Sequence, residues 1–271
     1  MEIDYGKIWK DSNSFAVSLK ARETIKEMSK QEAAAYAASA HLWEDGKRRA
    51  SGIKVEPEET VLEIGAGPGI ISFELAAKAK HVTAIEPALG MIEFFKEESK
   101  KRNINNVDTV QSFWEDYKIE KKYDVVVSSL SLITDDIVLF LRKMDQASKK
   151  RVYIHWFASE SAWEEQGKIV NGITGIPNSA RLPKIDIVFN VLYGMHIFPE
   201  MRLLKGTAFD RIYESKKEAL NALKKIYAVG TDAYDDELLQ YIDTHYEYKD
   251  SKYIYYDKTK FAELMWEKND G

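Results

Sequence analysis

A glycine-rich segment between two apolar runs carries residue types whose spacing could do chemistry. It reads Glu63-Ile-Gly-Ala-Gly-Pro-Gly69, it follows the apolar run that starts at Thr60, and the next apolar run ends at Glu86. Glycine lets the chain turn sharply and approach a ligand, Pro68 favours a first helical turn, and the N–H groups of a following helix would face negative groups. A carboxylate such as Glu86 can accept hydrogen bonds from both hydroxyls of a ribose. This arrangement predicts a binding site for a nucleotide-type cofactor.

Two classes of cofactor use such a site, and the spacing of the glycines bears on the choice. The dinucleotide fingerprint is G-x-G-x-x-G, with its third glycine inside the helix. Here Gly65, Gly67 and Gly69 alternate, position 70 is Ile, and the acidic Glu63 precedes them. The chain therefore resembles the Rossmann-like (class I) S-adenosylmethionine-dependent methyltransferases, whose first motif is an acidic residue followed by G-x-G-x-G. A dinucleotide-dependent dehydrogenase is the alternative.

The resemblance continues in the same order along the chain. Residues 81–87 resemble the family's second strand with its ribose-binding acid, and residues 107–116 resemble the third strand and the loop that covers the adenine. Residues 123–132 resemble the fourth strand and the segment that lines the methionine portion. The resemblance implies S-adenosylmethionine as cofactor and S-adenosylhomocysteine as product. The cofactor-binding residues that it implies are Glu63, Gly65, Ala66, Gly67, Gly69, Glu86, Pro87, Met91, Phe113, Trp114, Ser128, Ser129 and, from the N-terminal helices, Trp9.

Alternating strand and helix patterns predict the fold. Apolar runs at residues 60–64, 81–85, 107–111, 123–128 and 151–156 are separated by helical periods, which indicates a parallel sheet with helices on both faces. Ligands of such sheets bind outside the carboxyl ends of the strands. With the resemblance, this predicts an α/β fold with a doubly wound, mostly parallel seven-stranded sheet. Residues 252–257 and 259–266 resemble the antiparallel C-terminal hairpin of the family.

The segments outside the alternating region predict four parts of the chain. Residues 1–50 are expected to form an N-terminal helical lid, with a Ser29/Glu32 capping box before one continuous helix. The cofactor-binding core is predicted at 51–156, a helical and β insertion that caps the substrate at 157–250, and the terminal hairpin at 251–271.

Composition limits the classes of function. The chain has 271 residues, 45% of them apolar, no cysteine and a net charge of −5. Disulfides and thiolate chemistry are therefore excluded, and binding to nucleic acid through its phosphates is not expected. The basic stretches at 47–49 and 149–151 are predicted to be solvated ends of elements. No apolar stretch is long enough for a membrane span and no signal peptide is evident, so a cytoplasmic protein is expected.

Methyl transfer from a sulfonium is an in-line displacement, so a base is needed only where the acceptor loses a proton. His155 is the best-placed candidate, because it ends the fifth predicted strand, and His196 is the second. Trp156, Tyr193 and Tyr36 are the candidate substrate contacts. No metal is expected, because the acidic pair Asp135-Asp136 fits the first turn of a helix.

The acceptor is not encoded in a recognisable motif. The tetrapeptides typical of amino-methylating enzymes are absent after the fourth strand, which continues as Ser128-Ser-Leu-Ser131. Acidic charge and the insertion favour a small-molecule acceptor in a closed pocket and no membrane partner. A protein or RNA methyltransferase and a non-catalytic cofactor-binding protein are the alternatives.

Overall fold

The computed structural model describes residues 3–12, 19–38, 40–177, 181–204 and 210–268. The helices in these ranges are α1 (Tyr5–Ser12), α2 (Leu19–Lys26), α3 (Lys30–Ala37), α4 (Ala40–Ser51), α5 (Ser72–Ala76), α6 (Leu89–Lys101), α7 (Ile137–Ala147), α8 (Ala162–Thr174), α9 (Ile185–Gly194), α10 (Lys216–Ile226) and α11 (Asp235–His245). The strands are β1 (Thr60–Ile64), β2 (His81–Glu86), β3 (Val107–Gln111), β4 (Tyr123–Ser129), β5 (Ser148–Phe157), β6 (Glu200–Leu203), β7 (Arg211–Tyr213), β8 (Glu247–Lys249), β9 (Lys252–Tyr255) and β10 (Phe261–Glu267).

Seven strands form one sheet in the order β3-β2-β1-β4-β5-β10-β6. The pairs among β1 to β5 are all parallel, whereas β10 runs antiparallel to both of its neighbours. The central strands are apolar because both faces are covered. One face packs under α1, α7 and α9, with Trp156 in its core, and the other lies under α4 and α5, with Tyr153 in its core. The predicted fold class is confirmed.

The predicted C-terminal hairpin is wrong in its first strand. β9 does not join the main sheet; it pairs with β7 and β8 in a separate three-stranded sheet. The antiparallel neighbour of β10 at the sheet edge is β6, which comes from the insertion. Residues 256–260 form an irregular connection between the two sheets, in which the buried Asp257 accepts a hydrogen bond from Thr259 N at 2.7 Å. Strands adjacent in sequence usually pair, and that rule failed here.

The insertion has its own core. Helices α8, α10 and α11 and the small sheet bury a tyrosine-rich cluster, in which Gln166 Nε2 lies 3.2 Å from the hydroxyls of both Tyr241 and Tyr246. Tyr227 donates a hydrogen bond of 3.0 Å to Gln166 Oε1 on the other side. The insertion therefore buries a cluster that is separate from the cores on the two faces of the large sheet.

Three local predictions need correction. The Ser29/Glu32 capping box is present, but the expected continuous helix is two helices, α3 and α4. After the glycine-rich loop, residues 67–71 form turns and α5 begins only at Ser72, so Pro68 does not start the helix. The basic stretches are only partly solvated, because Arg49 pairs with Asp45 and Arg151 pairs with Glu59, all four buried.

Candidate cofactor site

A cavity of about 290 Å³ lies at the carboxyl ends of β1, β2 and β4 and beside the loop after β3. Its floor is the glycine-rich loop, and Ile25, Met28, Tyr36 and Leu42 cover it from the N-terminal helices. The site is therefore built where parallel sheets of this type bind ligands. The described residues of the insertion, 157–177, 181–204 and 210–250, are not among those that line this cavity, and its role as a cap stays a prediction.

The loop places two glycines against the cavity in backbone conformations that other residues rarely adopt. Gly65 has φ +70°, and a Cβ there would lie 2.4 Å from Ser131 Cβ. Gly67 has φ +54°, and a Cβ there would meet no heavy atom within 4 Å. The N–H groups of Gly65 and Ala66 both donate to the carbonyl oxygen of Ile85, at 2.8 and 3.0 Å. The first two residues of the loop are thus fixed on β2, and the space above Gly67 is left open.

Glu86 ends β2 and lies at the wall of the cavity, with 7% of its surface exposed. Its Oε2 accepts a hydrogen bond from Gly67 N and its Oε1 accepts one from Ala88 N, both 2.9 Å long. Burial raises the pKa of Glu86, while these two hydrogen bonds oppose the shift. Each carboxylate oxygen keeps a second lone pair, so Glu86 can still accept two hydrogen bonds from a vicinal diol.

Glu63 lies in β1 below the loop and is almost completely buried. Burial raises its pKa to about 7, against a hydrogen bond from the Ser72 hydroxyl and the positive charge of Arg49, which lower it. Through its hydrogen bond with Ser72, the first residue of α5, the Glu63 carboxyl group holds the start of that helix. Glu63 also contributes to one wall of the cavity.

The predicted adenine side of the cavity contains Pro87, Met91, Phe113 and Trp114. The Trp114 indole N–H donates to the carbonyl oxygen of Phe140 at 3.2 Å, so this ring is fixed in the wall. The Arg22 guanidinium of α2 lies 4.1 Å from the centre of the Phe113 ring and 3.3 Å from Asp116. Helix α2 is thereby held over this loop by a cation–π contact and an ion pair.

The opposite side of the cavity contains polar groups of which only Ser129 was predicted. Arg49 of α4 reaches Ser129 with one guanidinium nitrogen and holds Asp45 with another at 2.7 Å. Leu130, next along the cavity wall, has φ +58°, a strained conformation for a branched side chain. Sequence reasoning missed Arg49; the signal that could have revealed it is its spacing of four from Asp45 on one helical face.

Several predicted site residues lie outside the cavity. Gly69 (φ +96°) packs against Phe73 and Phe95, and the Ser128 hydroxyl lies 2.9 Å from that of Ser131. Trp9 and Trp156 pack on each other with ring centres 6.0 Å apart, and their N–H groups donate to backbone carbonyls. Tyr193 is exposed beside Phe198, and His196 is exposed after α9.

His155 also lies outside the cavity, yet it is joined to it through one hydrogen bond. Its Nδ1 is 2.9 Å from Ser129 Oγ, which lines the cavity, and the imidazole itself is fully buried. Tyr36 does line the cavity, and its role as a substrate contact stays a prediction.

Comparison with known proteins identifies the cofactor-binding region. Residues 61–151 match the family model described as a methyltransferase domain. An uncharacterised protein of Haemophilus influenzae is 27% identical over 191 residues, which cover 68% of this chain and 70% of that protein. Ribosomal RNA small subunit methyltransferase A of Malacoplasma penetrans is 25% identical over 36% of each chain. (S)-Coclaurine N-methyltransferase of Thalictrum flavum is 31% identical over 34% of this chain and 27% of its own.

Solved structures agree on the fold. The YcgJ protein of Bacillus subtilis matches with a TM-score of 0.52 at 14% identity, over 85% of this chain and 99% of its own. A Bacillus halodurans protein matches with a TM-score of 0.54 at 14% identity, over 82% and 96%. The family match identifies residues 61–151 as a methyltransferase domain of the S-adenosylmethionine-dependent class, and the two solved structures share the fold. The predicted family, enzyme class and cofactor are confirmed.

Two features of the described residues bear on partners. No helix among them combines the length and the apolar character required to cross a membrane. Their His, Asp and Glu side chains also form no group of three that could hold a metal ion.

Proposed function

We propose that the protein transfers a methyl group from S-adenosylmethionine to a small molecule held under the N-terminal helices. The observation that carries this proposal is the cavity beside Glu86, which is open above Gly67 and covered by Ile25, Met28 and Tyr36. Such a covered, largely apolar cavity suits a small ligand, because a macromolecular acceptor would require an open surface.

The cavity residues fit the cofactor group by group. Glu86 would accept hydrogen bonds from the ribose hydroxyls, and Pro87, Met91 and Phe113 would pack on the adenine. Within the described part of the chain, Arg49 is the only basic residue that lines the cavity. A guanidinium binds a carboxylate through two parallel hydrogen bonds, so Arg49 would hold the methionine carboxylate.

The protein's contribution to the chemistry is alignment and exclusion of water. The bound sulfonium supplies a methyl group that is already activated, and no metal is needed for that role. The N-terminal helices would remove water from the acceptor, while Ser129 and Leu130 border the methionine end of the site. An acceptor with an N–H or O–H group must also lose a proton.

An RNA acceptor is the second candidate, because an RNA methyltransferase is among the relatives of the cofactor-binding segment. That match covers only 36% of either chain, and the present sequence has a net charge of −5. Phosphate contacts depend on clustered Lys and Arg, so these observations favour the small molecule. A non-catalytic cofactor-binding protein would retain the cavity without any transfer.

The experiment has two stages. Calorimetric titration of the cofactor-free protein with S-adenosylhomocysteine, with NAD as the control ligand, is expected to give micromolar binding of the first ligand alone. Methyl-labelled S-adenosylmethionine is then incubated with the protein and with either a small-metabolite extract or total RNA. Label in the small-molecule fraction supports the proposal, and label confined to RNA, or absent from both, contradicts it.

A further inference from the structure

Four polar residues form a ladder across the large sheet, one on each of four neighbouring strands. Ser129 of β4 is in register with His155 of β5, His155 with Glu263 of β10, and Glu263 with Arg202 of β6. Residues in register on adjacent strands lie on the same face of a sheet, so their side chains can bond in sequence. The ladder runs from the cavity wall to the sheet edge.

The hydrogen bonds along the ladder show which atom of each pair is the donor. Glu263 lies 2.9 Å from His155 Nε2 and also accepts two hydrogen bonds from Arg202, at 2.6 and 3.1 Å. Burial would raise the pKa of Glu263, but the hydrogen bonds from His155 and Arg202 outweigh it and the pKa is lowered. The ionised carboxylate can only accept, so His155 Nε2 carries the hydrogen and its Nδ1 is the acceptor for the Ser129 hydroxyl.

The Ser129 hydroxyl is then left with one free lone pair. Its hydrogen is directed at His155 Nδ1, 2.9 Å away, and one lone pair accepts a hydrogen bond from Arg49. Since Ser129 is the only ladder residue that lines the cavity within the described chain, the remaining lone pair is available to a ligand there. The strained Leu130 follows it, and its N–H is bound to the carbonyl oxygen of His155 at 2.9 Å. Strain of this kind is often found where geometry serves function.

We propose that Ser129 and His155 relay the proton that the methyl acceptor loses; this rests on the proposed function. As the acceptor's nitrogen or oxygen bonds to the methyl carbon, the carbon–sulfur bond breaks and its electron pair stays on sulfur. The acceptor's proton passes to Ser129 Oγ, and the Ser129 proton passes to His155 Nδ1. The resulting imidazolium is paired with Glu263. Ser129 is thus the catalytic residue, and His155, Glu263 and Arg202 act through it as positioning residues.

The charges around His155 suit this role. Burial lowers the pKa of His155, with the Glu263 hydrogen bond opposing the shift and the positive charges of Arg49 and Arg202 adding to it. The lowered pKa favours the neutral imidazole, which can accept a proton, and Glu263 favours the charged form once it is made. The groups that face it come from α4, β4, β10 and β6: Arg49, Ser129, Glu263 and Arg202.

The test uses two ligands that differ at the transfer position. Sinefungin carries an amine-bearing carbon in place of the methyl sulfonium, so it offers N–H donors where the acceptor's would lie, and S-adenosylhomocysteine does not. In Ser129→Ala, sinefungin affinity is expected to fall about tenfold more than S-adenosylhomocysteine affinity, as for one hydrogen bond to a charged group. Ser131→Ala, a matched change at a cavity serine outside the ladder, is expected to alter both affinities by the same factor.

A spectroscopic signature tests His155 itself. In protein with ¹⁵N-labelled histidine, sinefungin is expected to shift the His155 Nδ1 resonance toward that of a more strongly hydrogen-bonded nitrogen. The reason is that a hydrogen bond from the ligand to Ser129 Oγ polarises the Ser129 hydroxyl and strengthens its hydrogen bond to His155. S-adenosylhomocysteine should leave it in place, and Ser129→Ala should abolish the difference. The His155→Asn spectrum lacks the His155 signal and so assigns it, while the asparagine still offers Ser129 a hydrogen-bond partner.

Each outcome decides between the two proposals. Equal losses for both ligands in Ser129→Ala, no loss for either, or identical His155 spectra with both ligands would overturn the relay while the proposed function stands. Failure of the wild-type protein to bind either ligand would overturn the proposed function instead.

Discussion

Gly67 and Gly69 lie two positions apart in the same loop, yet the structure predicts opposite consequences for their substitution. Both have positive φ, +54° and +96°. A Cβ on Gly67 would point into open space within the cavity, whereas one on Gly69 would lie 2.7 Å from the Phe73 ring and 2.9 Å from Phe95. Gly67 is therefore needed for the ligand, and Gly69 for packing.

The magnitudes follow from these contacts. Gly67→Val should lower the unfolding free energy only by the penalty for a side chain in the left-handed backbone conformation, about 1–2 kcal/mol. Its side chain fills space that the cofactor requires, so affinity for S-adenosylhomocysteine should fall at least about 100-fold, or roughly 2.7 kcal/mol. Gly69→Ala adds overpacking of roughly 1–3 kcal/mol to a similar backbone penalty, for a total of about 2–5 kcal/mol.

Urea unfolding and calorimetric titration separate the two effects. We expect Gly67→Val to remain folded, with a modest shift of the unfolding midpoint and little or no binding. Gly69→Ala should unfold at clearly lower urea and, while folded, retain more affinity than Gly67→Val. Wild-type affinity in Gly67→Val, or wild-type stability in Gly69→Ala, would refute the reasoning about the loop.

Three further predictions concern the walls of the cavity. Burial raises the pKa of Glu63 to about 7, so between pH 4.5 and 7 the native protein keeps a proton that the unfolded protein has lost. Up to about 3 kcal/mol of unfolding free energy is therefore lost as the pH rises from 4.5 to 7. Urea unfolding at both pH values should show this loss in the wild type and not in Glu63→Gln. Arg49→Leu should lower the free energy of unfolding by about 1–3 kcal/mol, because the buried Asp45 carboxylate loses its 2.7 Å hydrogen bond from Arg49 and keeps the one from Arg48 at 3.1 Å. Adding Asp45→Asn should recover most of that stability in urea while calorimetry still shows weak S-adenosylhomocysteine binding, and recovery of binding would exclude Arg49 as the carboxylate partner. Gly90→Val should displace the turn before α3, since a Cβ there would lie 2.3 Å from Met28 O. Trypsin is then expected to cleave faster before residue 40 while the core stays intact. An unchanged digest would contradict this.

The parts of the fold that could be predicted are those encoded by local pattern. The five parallel strands are contiguous apolar runs, and their predicted bounds match the structure within a few residues. The partner of β10 could not be predicted in this way, because β6 lies 57 residues before it and an intervening strand, β9, offered a closer partner. Arg49 was missed for a related reason. Its neighbours Lys47 and Arg48 are exposed, and only the helical phase shared with Leu42 and Asp45 turns Arg49 inward.

Strand periodicity explains which of the predicted site residues reach the cavity and which do not. Successive side chains of a strand point to opposite faces, so adjacent Ser128 and Ser129 could not both serve the same site. The register puts Glu63, Ser129 and His155 on the face that α4 covers. Trp156, one residue further, points to the other face, where it meets Trp9 of α1. The polar residues of the sheet therefore collect under the helix that supplies Arg49, whereas Trp9 and Trp156, two of the three tryptophans predicted as ligand contacts, pack in the opposite core.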